Sequence, residues 1–284
     1  MQEYYAEVFD RDRYCLGESP YYDPRYKRYS WVDIIQSRLW TMQDGKKECF
    51  QFDQPIGAAV PLRESDGFML AAQDGLYLLK DGKTRLVKDL GSIYKSYWRS
   101  NDAKADADGR LWFGASVGDD LHGAEGNLYC FDGKSVRCMQ SDTKISNGMA
   151  WSKDEKHYYF SDSLEYAVFR YDYCKEKGTI SGRNVLFRVE KGVPDGMCID
   201  GNDDLWVAIW GGNRIEKRDA LTGELLALVY VPAEHVTSCC LMRENRRTEL
   251  FITSSAEGLS GEFDGCLFKC CVDVPAVTPD YVLL

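Results

Sequence analysis

The sequence predicts an all-β fold: a six-bladed β-propeller of four-stranded antiparallel blades around a central channel. Three observations predict it. Helical periodicity is scarce, and short β-rich runs alternate with Gly, Asp and Asn turns. Six of these runs look alike and recur about every 40 to 47 residues, a period typical of solenoids and propellers. Each is followed by a second apolar or aromatic run, so each unit reads as three or four antiparallel strands. A lone sheet of this kind exposes two apolar faces, and radial packing of copies buries both.

The six runs, in order, are Arg28-Tyr29-Ser30-Trp31-Val32, Gly67-Phe68-Met69-Leu70-Ala71, Arg110-Leu111-Trp112-Phe113-Gly114, His157-Tyr158-Tyr159-Phe160-Ser161, Asp204-Leu205-Trp206-Val207-Ala208 and Glu249-Leu250-Phe251-Ile252-Thr253. Their partners begin at Arg38, Gly75, Gly126, Val168, Arg214 and Gly265. Polar turns such as Asp106-Ala107-Asp108-Gly109 and Asp200-Gly201-Asn202-Asp203 introduce them. The end segments Ala6-Glu7-Val8-Phe9 and Tyr281-Val282-Leu283 are expected to share one blade and close the ring. Six units fill the 284 residues without a Ser- or Pro-rich linker, so a single domain over 1–284 is expected.

Composition narrows the function. The net charge is −10, and no basic run exceeds Lys46-Lys47 or Arg246-Arg247, which argues against a nucleic-acid partner. No apolar stretch approaches the roughly 20 residues of a membrane span, so no membrane partner is expected. Met1 to Asp10 carries acidic residues and no apolar core of a secretory leader. The 11 cysteines are odd in number and form no CxxC pair, which suits buried thiols in a cytoplasmic protein. A monomer or weak dimer is expected.

Eleven to thirteen residues before the aligned runs, about one strand and one turn, lie Gly17-Glu18-Ser19-Pro20, Pro55-Ile56-Gly57, Ser100-Asn101-Asp102, Ser146-Asn147-Gly148, Pro194-Asp195-Gly196 and Thr237-Ser238-Cys239. In a propeller this strand is innermost and its start faces the channel. Glu18, Asn101, Asn147 and Asp195 are therefore expected to converge on the axis. Two carboxylates with amide oxygens make a hard-oxygen set suited to one divalent metal ion (Ca²⁺, Zn²⁺, Mn²⁺ or Mg²⁺). Asn-Gly and Asp-Gly also mark ordinary turns, but Glu18 is no turn residue. Asn101 is open as ligand, support or substrate contact. Arg99, two residues earlier, is expected in the same mouth by strand alternation. Asp119 and Asp120 lie in a long loop, Ser116 to Gly126, that suits a lid or a specificity element. Of the three histidines, His122 lies in that loop and could touch a ligand, and His157 opens a strand. No nucleophile elbow or phosphate-cradling loop is present.

These fragments, together with Leu205-Trp206-Val207-Ala208 and Thr237-Ser238-Cys239-Cys240, resemble in order the senescence marker protein (regucalcin)/gluconolactonase family. The resemblance implies a six-bladed propeller with one catalytic divalent metal. It implies metal-dependent hydrolysis of a small-molecule sugar lactone, of the glucono-δ-lactone type, to the aldonic acid. Glu18, Asn147 and Asp195 would be the metal ligands, with Asp195 also the catalytic acid/base. Arg99 and Asn101 would bind substrate, as would Asp119, where animal members carry a Glu. Ser19 stands where a Gly follows the Glu in the family. A calcium-binding regulatory propeller without catalysis, or hydrolysis of other esters and phosphotriesters at the same metal, are the alternatives.

Overall fold

The structure, a computed structural model, describes residues 1–118, 122–244 and 247–284. Asp119 and Asp120 therefore lie outside the described residues. The chain opens with two short strands, β1 (Gln2–Tyr5) and β2 (Glu7–Asp10), that join blades formed later. Blade one is β3 (Gly17–Asp23), β4 (Arg28–Asp33), β5 (Arg38–Gln43) and β6 (Lys46–Gln51). Blade two is β7 (Ile56–Pro61), β8 (Phe68–Ala72), β9 (Gly75–Lys80) and β10 (Lys83–Asp89). Blade three is β11 (Trp98–Ala105), β12 (Leu111–Val117), β13 (Gly126–Phe131) and β14 (Val136–Thr143). Blade four is β15 (Ser146–Trp151), β16 (His157–Asp162), β17 (Ala167–Cys174) and β18 (Thr179–Arg188), with a 3₁₀ turn (Ser163–Glu165) after β16. Blade five is β19 (Val193–Ile199), β20 (Asp204–Trp210), β21 (Arg214–Asp219) and β22 (Leu225–Tyr230). Blade six is β23 (His235–Glu244), β24 (Arg247–Ser255) and β25 (Leu267–Val272), completed by β2.

The first strands of the blades neighbour one another in cyclic order, β3, β7, β11, β15, β19, β23 and back to β3, so they line the channel of a six-bladed propeller. The predicted runs fall on the second strands. Their residues alternate between two buried faces, as in sheets covered on both sides. Trp31 packs toward blade six and Val32 toward blade two. Among the described residues there are six apolar clusters, one at each interface between adjacent blades, and no single central core. Trp31, Trp112 and Trp206 are fully buried there. Each large buried side chain contributes on the order of 2–3 kcal/mol.

The polar turns act as predicted. Asp106 Oδ1 accepts from the backbone N–H of Asp108 and Arg110, and its Oδ2 from Trp112 Nε1 at 2.9 Å. Asp200 repeats the device with Asn202, Asp204 and Trp206 Nε1. One carboxylate thus fixes the turn and anchors the tryptophan of the following strand.

Ring closure is only half as expected. Glu7–Asp10 does complete blade six against β25, and β1 adds a parallel fifth strand to blade five beside β22. The residues Tyr281 to Leu283 do not join them. The C-terminal segment instead crosses the far end of the channel as a strap. Pro275 O accepts from Gly201 N in blade five, Tyr21 OH of blade one donates to Asp280 O, Val282 N donates to Pro61 O in blade two, and Leu283 N donates to Gly109 O in blade three. β2 had already supplied the missing strand, which left the tail free to tie blades together. No helix among the described residues is long and apolar enough to cross a membrane.

Candidate functional site

Every innermost strand carries one extra residue relative to its partner, and all six irregularities fall at the same level. Such a bulge re-aims the side chains beside it. In blades three, four and five the first bulge residue is Asn101, Asn147 and Asp195. Blades two and six place Gly57 and Thr237 there. Blade one departs from the predicted frame: Ser19 holds the equivalent position, and Glu18 comes one residue earlier. Ser19 has φ 49°, a left-handed conformation that suits glycine best.

The lead-ins to these strands are fixed by carboxylates at the ends of the second strands. Asp33 accepts from the backbone N–H of Cys15 and Leu16, just ahead of Glu18. Asp162 does the same for Lys144 and Ile145, just ahead of Asn147. Side chains at the bulges then bond to the next blade. Asn101 Nδ2 donates to Ser146 O at 3.0 Å. Asn147 Nδ2 donates to Ser163 Oγ, which donates to Pro194 O. Thr237 Oγ1 donates to Gly17 O at 2.5 Å, joining blade six to blade one. Gly148 and Gly196 permit this approach, since a Cβ would stand 2.5 Å from Asp195 O and 2.0 Å from Ser238 Oγ respectively.

These ties decide which oxygens stay open. Asn101 Oδ1 is taken by Arg99 Nη1 at 2.7 Å. Asn147 Oδ1 and Asp195 Oδ1 are buried without a hydrogen-bond partner. Glu18, Asn147 and Asp195 are all nearly inaccessible, at 5–6 % exposure. Burial, then Asp102, pushes the Glu18 carboxyl up to about 8. Burial, then Glu18 and Asp102, holds the Asp195 carboxyl well above its ordinary range. Burial lowers the Arg99 guanidinium, opposed by Glu18, Glu257 and Asp195. Glu18, Arg99 and Asp195 thus act on one another electrostatically, and Asn147 lies within hydrogen-bonding reach of Asp195.

Two buried, mutually repelling carboxylates and an amide oxygen without a donor are the donor set a hard divalent cation would satisfy. The set fits such an ion. Among the described residues no group of three His, Cys, Asp or Glu forms a cage, so the amide of Asn147 would be needed as a ligand.

Sequence reasoning missed several groups at this mouth. Asp102, beside Asn101, is 3 % exposed with Oδ2 unpartnered. Ser163 aims Asn147 from the 3₁₀ turn. The Trp210 and His235 rings stack at 4.0 Å, and His235 Nδ1 is buried without a partner. His235 precedes Thr237 by two residues as Arg99 precedes Asn101, and blades six and three oppose each other across the ring. The repeat frame held that signal for His235. His122 stacks on Tyr97 at 3.6 Å.

Residues 16–256 match the family described as SMP-30/gluconolactonase/LRE-like region. The chain is 33% identical over 276 residues to chicken (Gallus gallus) regucalcin, covering 93% of this chain and 91% of that protein. It is 31% identical to a Bacillus subtilis (strain 168) protein provisionally named sugar lactone lactonase YvrE, covering 87% of this chain and 86% of that one. A solved luciferin-regenerating enzyme superposes with a TM-score of 0.91 at 28% identity, covering 98% of this chain and 100% of that one.

Proposed function

The chain belongs to the SMP-30/gluconolactonase/LRE-like family, and from that premise we propose that it is a metal-dependent hydrolase opening sugar lactones to aldonic acids. The observation that carries this reading is the pair of buried, unpartnered oxygens, Asn147 Oδ1 and Asp195 Oδ1, beside the buried Glu18. Glu18, Asn147 and Asp195 would hold one divalent cation. When bound, that cation supplies Lewis-acid polarisation of a carbonyl and acidification of water.

The chain's own residues do the rest. Asp195 would use one oxygen toward the cation and the other as base, taking a proton from the attacking water. A C–O bond forms at the lactone carbonyl and the ring C–O bond breaks. The proton is then returned to the departing ring oxygen, giving the open acid. Among the described residues Arg99 is held by Asn101 Oδ1 and Ser100 O through Nη1 alone, and its other N–H groups would meet the oxygens of the sugar. Water is restricted by the burial of all three proposed ligands.

The test is acid release from glucono-δ-lactone, an arylester and a phosphotriester, before and after chelation. The reading expects the lactone to be preferred and its turnover to vanish on chelation and return with added cation. Undiminished turnover after exhaustive chelation, or activity confined to the phosphotriester, would overturn it.

A further inference from the structure

A cavity of about 530 Å³ lies away from the carboxylates, at the opposite end of the channel. It is enclosed between the downstream ends of the inner strands and the C-terminal strap. This volume falls within the roughly 300–1,000 Å³ of small-molecule pockets. Tyr22, Met149, Trp151, Leu241 and Val277 make much of its wall apolar.

One polar feature stands out against that wall. Lys104, from β11, lines the cavity, and its ammonium donates to Met197 O across the channel. Of the acids on the wall, Asp200 and Glu155 are paired with Lys217 and Lys175, Asp203 accepts from Lys153 N, and Asp280 lies on the strap. Lys104 has no ion-pair partner among the described residues, although it lies close enough to Asp102 to favour that carboxylate. Trp151 lines the same cavity. A cation without an ion-pair partner in a largely apolar chamber calls for a ligand with an anionic acceptor group on an apolar body.

We propose that this far-mouth cavity is a second ligand site, distinct from the carboxylate mouth, that takes a flat apolar acid of the aromatic carboxylate class. Its ring lies among Tyr22, Met149 and Trp151, and its carboxylate meets Lys104 Nζ. The strap forms the outer wall, so residues 275–280 set the depth of the chamber.

The test uses 1-naphthoate and its neutral counterpart 1-naphthalenemethanol, titrated calorimetrically into the full-length protein. The site expects saturable binding of one naphthoate per chain. Lys104→Met should weaken naphthoate about tenfold, the worth of a charge-assisted hydrogen bond, and change the neutral alcohol less than about twofold. Trp151→Phe should weaken naphthoate and reduce its quenching of tryptophan fluorescence. Asp195→Asn, at the other mouth, should bind naphthoate as the parent does, whether or not the protein hydrolyses lactones. Thermal melting checks that each variant folds, and Lys104→Gln replaces Lys104→Met if the latter does not. Absence of saturable binding, equal weakening of acid and alcohol by the Lys104 variant, or loss of binding in Asp195→Asn would each overturn the proposal.

Discussion

At one end of the channel the inner strands present Glu18, Asn101, Asp102, Asn147 and Asp195, all buried. A few residues further along, the same strands present Tyr22, Met149, Trp151 and Leu241 to an apolar cavity. The strands and the ring are shared, so the contrast comes from side chains on either side of one repeated bulge. Upstream, polar groups bond from blade to blade until the donors run out, and Asn147 Oδ1 and Asp195 Oδ1 are left over. Each such buried, unpaired group costs on the order of 1–3 kcal/mol. Downstream, the chain closes the opening with its own tail. A fold that needed only a plugged channel would treat both ends as it treats the far one. The buried, unpaired carboxylate and amide oxygens at the near mouth therefore support placing the proposed hydrolysis at that end.

The largest effect that tests this contrast is at Asp195. Asp195→Asn should lower kcat/KM for glucono-δ-lactone about 10³-fold or more, the scale of losing a positioned acid/base. Trp151→Phe, at the far mouth, should stay within about threefold. Equal losses would erase the distinction between the ends. Asn101 sharpens it next, because its oxygen is spent on Arg99. Asn101→Ala should raise KM about tenfold by releasing the guanidinium, without changing the concentration of cation needed for half-maximal activity.

The pH dependence of stability should also differ between the ends. Burial holds Glu18 in its protonated form up to about 8, against an ordinary 4.5. The folded chain then binds more protons than the unfolded chain through that window, so stability is full below about 4.5 and is lost as the pH rises toward 8. In chelator, Tm should fall between pH 5 and 8, and Glu18→Gln should flatten the decline. A divalent cation should flatten it as well, by taking the place of the protons. A Tm that rises over that window in chelator contradicts the account. The smallest effect is expected at the rim. His235→Ala should raise KM about three- to fivefold with kcat little changed, the loss of one neutral hydrogen bond.

Most of the fold was legible in the sequence because each blade repeats one pattern. Runs such as Arg110 to Gly114 and Asp204 to Ala208 sit where their period placed them, and Asp106 and Asp200 make the turns their spacing suggested. The placement of Asn147 and Asp195 at the inner-strand bulges was legible for the same reason, and that of Glu18 to within one residue. What the period could not reveal was any departure from it. Blade one offsets Glu18 by one residue through the left-handed Ser19, a backbone choice that leaves no periodic trace. The strap from Pro275 to Leu283 has no counterpart in the other blades, and its course depends on contacts with Gly201, Pro61 and Gly109 far away in the chain. Ser163 acts through a hydroxyl placed by a 3₁₀ turn, which a strand-based reading passes over.

Calorimetric titration of metal-stripped protein with Mn²⁺ asks whether Glu18, Asn147 and Asp195 hold one divalent cation. One site per chain is expected in the parent, retained in Asn101→Ala and lost or weakened at least about tenfold in Asn147→Ala and Asp195→Asn. Unchanged Mn²⁺ binding in both Asn147→Ala and Asp195→Asn would contradict that ligand set.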